Sequence, residues 1–427
     1  MPPPSGTARQ AGEDFDMRTV EVQDLTRPFP GGSGYATPVP PTVITARTIS
    51  EFEEIRDAWI KMQQHPNSDI DQYLIMTKSL PGVLRPHVVM VHRNGQPEAI
   101  LVGRLEKTRI NLRLGYRNVL SPQVRSLTFI YGGLLGRLSH EGAEILAHAI
   151  LTALNGKEAD VAFFNHLRAG SPLYDALRRQ LRFLSRDYFP MLQEHRAMTV
   201  PGSADEFWHR LSPKVRKNQR WQAKKLLNDH GGDVQVRCFR KPGELNPMIR
   251  DVEQVAAKTY QRGLGVGFAD NEITRSQLKL KAEKGWLRTY VLYVAGRPCA
   301  FWLGTLYCGT FHSDSMGYDP EFSKYSPGMY LIIRIIEGFC ERESAAEISA
   351  IDFGLGDAQY KEMLGDIHWN DVSFYVFARS SRGVALNVLR TPVALVDQTS
   401  KSVLQKTQLI QRVKTAWRNR VRNENAK

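Results

Sequence analysis

The sequence predicts an α/β protein made of two halves on one plan, each a mixed, twisted sheet flanked by helices. Three observations predict it. From Val43 to Val200, strand-like runs (VITART, HVVMVHR, AILVGRL, ADVAFFNHL, MLQEHRAMTV) alternate with helical ones (SEFEEIRDAWIKM, GAEILAHAILTAL, SPLYDALRRQL). Such alternation argues for layers of sheet and helix. From Asp233 to Ala378 the rhythm returns without detectable identity. DVQVRCF, PMIRDVEQVAAKTY and SQLKLKAEK lead into the strands WLRTYVLYV and PCAFWLGTLY, and VSFYVFA closes the second half. At 427 residues the chain is long enough for two cores.

The boundaries follow from composition. Residues 1–42 are rich in Pro, Gly, Ser and Thr without periodicity and are expected to be disordered. The halves are expected at 43–202 and 231–380, with a basic bridging helix at 203–230 and a basic amphipathic tail at 381–427. Hydrophobic residues at 42% and charged ones at 24% are ordinary globular values. No basic-then-apolar leader is visible at the start, and apolar runs such as LIIRIIEGF are broken by Arg334 and Glu337 well short of a membrane span. The four cysteines form no C-x-x-C pair and the 11 histidines no H-E-x-x-H, so neither a disulfide framework nor a metal is expected. The expected setting is cytoplasmic and reducing.

The net charge of +13 sits in two places. Arg210 to Lys225 holds seven basic residues and no acidic one, and Lys401 to Lys427 holds eight basic and one acidic. In the first stretch Arg216, Arg220 and Lys224 recur at helical spacing, with Lys214, Lys217 and Lys225 beside them and Leu211, Val215 and Leu226 opposite. Guanidinium groups in such a stripe bind phosphate or carboxylate through paired hydrogen bonds, and Lys214, Arg216 and Arg220 are the candidate anion holders. In the second stretch Ile410, Val413, Trp417 and Val421 share one side of a helix from Val403 to Val421, with Arg and Lys on the other. Such a helix suits an anionic membrane surface, its own protein or solvent.

The most informative residues lie between Gly309 and Asp366. A strand GTFHSDSMGYDP is followed by Ser326-Pro327-Gly328, which opens an apolar helix. Ser at the N-cap and Pro at the first helical position make a strong start, and a glycine next to them leaves the backbone amides open to an anion. A buried strand from Ile348 to Phe353 then ends in Asp352, Gly354 and Gly356, and Tyr360-Lys361 follows. Open sheets place ligands at strand ends beside helix starts.

The order of strand, S-P-G helix, strand ending D-F-G-x-G, and Tyr-Lys resembles the CelD-type branch of the GNAT acyltransferases, a superfamily whose relatives include the FemAB peptidyltransferases. The resemblance covers roughly Ser203 to Arg379, and more loosely Val43 to Val200. It implies two GNAT-like halves and acyl transfer from a thioester, with acyl-CoA as donor. In Fem-like enzymes the donor is an aminoacyl-tRNA. It also implies that the basic S-P-K-x-R-K-N stretch belongs to the family plan, and that Tyr360-Lys361 stands where Fem enzymes carry an aromatic-Lys pair. By the same analogy the acceptor is a small molecule or glycan in cell-envelope or polysaccharide chemistry.

Two literal matches fail on placement. Arg262-Gly263-Leu264-Gly265-Val266-Gly267 spells a coenzyme A pyrophosphate loop, but it follows a helix rather than linking a strand to the helix it opens. It reads as a loop bordering the acceptor cleft or as a plain helix terminator. Asp352-Phe353-Gly354 lacks every other kinase signature.

The chemistry expected is direct transfer without a covalent enzyme intermediate, which needs an aligned amine or hydroxyl, a held oxyanion and two managed protons. His312 and Asp314 share one face of their strand, and either is placed to relay the acceptor's proton. Each could equally satisfy a buried backbone group. Tyr360 is the candidate acid for the leaving group, and Lys361 the charge that steadies it. Ser326, Gly328, Met329 and Lys324 are the candidate donor-binding residues. Asp352, Gly354 and Gly356 are candidates on the acceptor side, with Asp352 also able to cap its own turn. The remaining alternative is a non-catalytic module on membrane or nucleic acid.

Overall fold

The structure, a computed structural model, describes residues 41–406 apart from 116, 264 and 342–346. The first half runs β1 (Thr42–Ala46), α1 (Phe52–Met62), α2 (Ile70–Ser79), β2 (Val83–Arg93), β3 (Gln96–Arg109), a small hairpin β4 (Leu112–Leu114) and β5 (Arg117–Leu120), then β6 (Gln123–Gly136), α3 (His140–Asn155), β7 (Val161–Arg168), α4 (Pro172–Gln180) and β8 (Met191–Thr199). Two helices follow, α5 (Ala204–Arg210) and α6 (Pro213–Asp229). The second half runs β9 (Val234–Phe239), α7 (Leu245–Ala256), α8 (Tyr260–Gly263), α9 (Glu272–Glu283), β10 (Leu287–Val294), β11 (Arg297–Tyr307), β12 (Thr310–Tyr318), α10 (Pro327–Phe339) and β13 (Ala350–Leu355). A short helix Gln359–Leu364, β14 (Ile367–Phe377) and a long helix Ser381–Lys406 complete the described chain.

The expected α/β architecture holds, with one addition. Twelve strands form a single continuous sheet in the order β1-β2-β3-β6-β7-β14-β8-β13-β12-β11-β10-β9. Each half contributes four antiparallel strands and then one parallel pair, β6 with β7 and β12 with β13. The halves then exchange their last strands. β8 pairs with β13 of the second half, and β14 inserts between β7 and β8 of the first. The stretch expected at 231–380 therefore gives a strand to the other half's sheet, because a strand's local pattern fixes its pleat and not its partner.

Four serines start helices. Ser139, Ser171, Ser203 and Ser212 each accept a first-turn amide of α3, α4, α5 and α6. The bridging segment is two helices rather than one, since Ser212-Pro213 restarts the chain after Leu211. Leu211 and Leu226 are buried and Val215 packs beside them, as their spacing predicts. The tail helix expected over 403–421 lies outside the described residues beyond Lys406.

Ser326 departs from expectation. Pro327 does begin α10, but Ser326 sits in the left-handed region (φ 51°, ψ 52°) and its side chain caps nothing. A 3-10 turn over Pro320–Tyr325 runs straight into α10, and the chain changes direction through this one residue. A non-glycine residue in that region carries backbone strain that the packing around it must hold. Buried Phe322 and Tyr325 on the turn, and Leu331 and Ile332 on the helix, supply that packing within one apolar core.

Candidate functional site

β12 and β13 are paired over only three positions, Thr310 with Ala350, Phe311 with Ile351 and His312 with Asp352. Beyond that pair they part. β12 stays with β11, and β13 stays with β8, where Gly354 and Leu355 pair with Arg196 and His195. Two parallel strands that separate leave a wedge, and a cavity of about 400 Å³ lies there. Trp302, Met316, Gly328, Met329, Ala358 and Tyr360 are among its lining residues. Gly328 and Met329 stand in the first turn of α10, where helix amides have no carbonyl of their own helix to bond. The equivalent start in the first half is already occupied. Ser139 caps α3, and the Glu98 carboxylate accepts the Ser139 amide at 2.5 Å.

The opposite side of the last β12–β13 pair carries a buried polar chain. Phe311 and Phe353 enter the core beside α10, so His312 and Asp352 project to the other face. Asp352 Oδ1 lies 2.6 Å from His195 Nε2 and accepts the Gly354 amide at 2.7 Å, and its Oδ2 lies 3.2 Å from His312 Nδ1. His195 Nδ1 is 3.0 Å from Asp371 Oδ2 and 3.2 Å from the Tyr131 hydroxyl. Trp369 stacks on the His195 ring at 4.1 Å and donates Nε1 to Asp371. The His65 ring packs edge-on against His312 at 4.9 Å and against Tyr131 at 4.7 Å. Gly132 (φ +72°) makes room for it, since a Cβ there would stand 2.5 Å from the His65 ring.

An imidazole with a carboxylate at each nitrogen donates to both only as imidazolium. Burial alone would push the His195 pKa down, but the hydrogen bonds and charges of Asp352 and Asp371 outweigh it and hold His195 above its ordinary value. Burial would likewise raise Asp352, and the bonds from His195 and His312 instead hold it far below the carboxylate range. His65 is pushed down to about 3, first by burial and then by the neighbouring His312, so it is neutral at pH 7. With Asp352 accepting at His312 Nδ1, the other ring nitrogen is the one a neutral ring offers as an acceptor. That Nε2 is buried without a hydrogen-bond partner among the described residues.

The candidates from the sequence separate into groups. Gly328, Met329 and Tyr360 line the wedge, whereas Ser326 and Lys324 are not among its lining residues. The exposed Lys324 ammonium rests on the Tyr325 ring at 4.7 Å. Lys361 is only 8% exposed and donates Nζ to the Leu355 carbonyl at 2.6 Å, so it braces the end of β13. Burial lowers its pKa against the pull of Asp352 and Asp357. Asp314 is not brought to His312, because its carboxylate accepts from Lys281 at 2.8 Å and Thr305 at 2.6 Å. Asp352 does cap its own turn, with Gly354 (φ +72°) and Gly356 (φ +106°) carrying the reversal.

Lys214, Arg216 and Arg220 line no part of the wedge, and Arg220 lies over the Trp208 ring at 5.2 Å. In the glycine run, Arg262 is spent on Glu253 at 2.7 Å and on the Phe268 carbonyl, while Thr259 and Gln261 just before it border the wedge. His65, Tyr131, His195 and Asp371 were not singled out from sequence. Tyr131, His195 and Asp371 are polar residues within strands and His65 lies in a turn before α2, which are signals that many other residues share.

Among the described residues one trio could hold a cation, since His65, His312 and Asp352 offer ligand atoms within 4.8 Å of one another. Asp352 already spends both oxygens on His195, Gly354 and His312, so a cation would have to break the Asp352–His312 bond.

The histidines carry a pH consequence. His87 is pushed down to about 4 by burial and by Arg85, and His65 to about 3. Between pH 6.5 and those values the unfolded chain binds protons that the folded one refuses. Stability therefore falls with pH in that window, by at most about 1.4 kcal/mol per pH unit for each group. His195 does not oppose this, because its contribution is fully present below its unfolded value and is lost only as pH rises through the folded one. Melting temperatures between pH 7 and pH 5 should fall, and the fall should shrink in His65→Gln. An unchanged slope would show that His65 is not held neutral.

Residues 213–362, from α6 to the short helix that bears Tyr360, match the family described as acetyltransferase (GNAT) domain. No curated protein matches the chain. Among solved structures the chain is similar to FemX (TM-score 0.50, 11% identity, covering 79% of this chain and 98% of that one). It is also similar to a tandem GNAT protein from the clavulanic acid biosynthesis pathway (TM-score 0.46, 10% identity, 80% and 100% covered). A third is a GCN5-related N-acetyltransferase from Sphaerobacter thermophilus (TM-score 0.40, 10% identity, 79% and 96% covered). The family match covers the second half, and the likeness to FemX, which is one of fold, spans 79% of the chain. Among the described residues no helix is long and apolar enough to cross a membrane.

Proposed function

We propose that the protein is an acyltransferase taking an acyl group from a CoA thioester in the β12–β13 wedge and passing it to an amine or hydroxyl on the opposite face. One observation carries the reading: an uncapped helix start opens on a cavity beside the place where β12 and β13 part, and His312 with Asp352 is the last backbone pair those strands share. The fit to the donor is partial but specific. Gly328 and Met329 supply first-turn amides for phosphate, Pro327 supplies none, and Arg262 is already paired. Apolar Trp302, Met316 and Met329 suit the donor's uncharged arm.

The acceptor nitrogen attacks the thioester carbonyl carbon, forming the C–N bond and an oxyanion. Collapse of that intermediate breaks the C–S bond and releases thiolate. His312 Nε2 takes the proton from the attacking nitrogen while Asp352 holds the Nδ1 proton in place. The Tyr360 hydroxyl protonates the leaving thiolate. Groups from both halves, His65 and Tyr131 with His312 and Asp352, flank the acceptor's approach.

A second reading, an aminoacyl-tRNA donor, is favoured by α6 alone, where Lys214, Lys217 and Arg220 stand exposed beside Trp221. Calorimetry with acetyl-CoA and longer acyl-CoAs separates the two. Wild type should bind, and Gly328→Trp, whose ring would enter the wedge past Tyr318, should bind at least about tenfold more weakly with its fold intact. Binding unaffected by Gly328→Trp would put the donor elsewhere. No binding by any acyl-CoA, with steeply salt-dependent tRNA binding, would favour the second reading.

A further inference from the structure

The long helix Ser381–Lys406 is apolar on two sides. Its inner side packs through Leu386 and Val393 against the core, and Asn387 donates to the Leu184 and Arg186 carbonyls. The outer side should be polar on a surface helix. Instead Val388, Leu389, Leu395 and Val396 are exposed, each about half of its surface or more. The segment that Asn387 holds, on the adjoining side of the helix, is apolar and exposed too, with Phe183 at 75% exposure and Met191 and Leu192 above half. An apolar surface spread over two adjacent elements marks an interaction site rather than scattered surface residues.

The charge around the patch says what it meets. Arg178 and Arg182 are exposed next to Phe183, and Arg179 beside them is paired with Glu144 at 2.5 Å. The nearest acid in the segment, Asp187, is buried and paired with Arg390. From residue 407 to 427 the chain that leaves this helix carries six basic residues and one acidic. A second copy would bring the same arginines against these, and like charges disfavour that contact. A surface of anionic headgroups over acyl chains complements both the arginines and the apolar side chains. We propose that this face, formed by residues 183–192 and the outer side of the helix Ser381–Lys406, seats the protein on an anionic lipid bilayer without crossing it.

Co-sedimentation of the full chain with vesicles tests this directly, using phosphatidylcholine alone or with about a third phosphatidylglycerol. Binding is expected only with phosphatidylglycerol and should weaken at high salt. Phe183→Asp with Leu389→Asp should reduce it at least about tenfold. Both side chains are exposed, so the double variant should keep its melting temperature, and its donor binding should be unchanged. Absence of binding at low salt overturns the proposal, as does a double variant that binds like wild type. Light scattering that shows a dimer dissolved by the same two substitutions would assign the face to a second copy and equally overturn it.

Discussion

Asp352→Asn is expected to remove measurable transfer and to weaken the fold in one step. The carboxylate accepts from His195, His312 and the Gly354 amide. An amide keeps one accepting oxygen and turns an NH2 toward one of the two imidazoles, so a donor then faces a donor. If it faces His195, the imidazolium between Asp352 and Asp371 loses one of the two charges that hold its proton. If it faces His312, the Nδ1 proton loses its partner and the lone pair at Nε2 is no longer fixed. Loss of a positioned base costs about 10²–10⁴ in rate, and breaking a buried ion pair costs about 3–5 kcal/mol. Thiol release from acetyl-CoA in the presence of an acceptor, read beside urea unfolding, separates the effects. His312→Gln should lose the rate with a smaller stability cost, because His312 makes one hydrogen bond in the network and Asp352 makes three. A wild-type rate in Asp352→Asn would end the assignment of this pair as the proton acceptor.

What could be read from sequence divides along a physical line. Strand and helix periods are local, so the α/β rhythm of both halves was legible, as was the packed side of α6. Gly328 and Tyr360 were legible because a helix start after a strand has a local signature. Ser326 was misread as a cap, since its left-handed turn is imposed by the preceding 3-10 turn and by the core packed around both. Asp314 looked equivalent to His312 because the two share a face. Their difference lies in Lys281, contributed by α9. The buried chain from Asp371 to His312 draws on β14, β8, β13 and β12, and no local pattern states which strands will be neighbours. His195, in the middle of MLQEHRAMTV, has nothing beside it in sequence to distinguish it from a surface histidine.

The strand exchange predicts that neither half folds alone. A fragment ending at residue 202 would keep β1 to β8 but lose β14, which lies between β7 and β8 and pairs with both. It would lose buried Val372, Phe374, Val376 and Phe377, with Phe374 stacked on Phe164 at 4.7 Å. Truncating one buried phenylalanine costs about 3–5 kcal/mol. Removal of four buried side chains and two ladders therefore exceeds the about 5–15 kcal/mol by which whole domains are stable. Two bare edges would be left in the middle of a sheet, which is a template for aggregation. The complementary fragment from residue 203 loses β8, the partner of β13, and with it His195. Each fragment made alone should be insoluble or lack a cooperative transition. The two made together should copurify, because the exchanged strands are each other's missing partners. A fragment ending at 202 that melts cooperatively near the full chain's temperature would show that β14 is an accessory to that half. The shared site would then need another explanation for why Asp371, near the middle of the twelve-stranded sheet, braces a histidine that serves the second half.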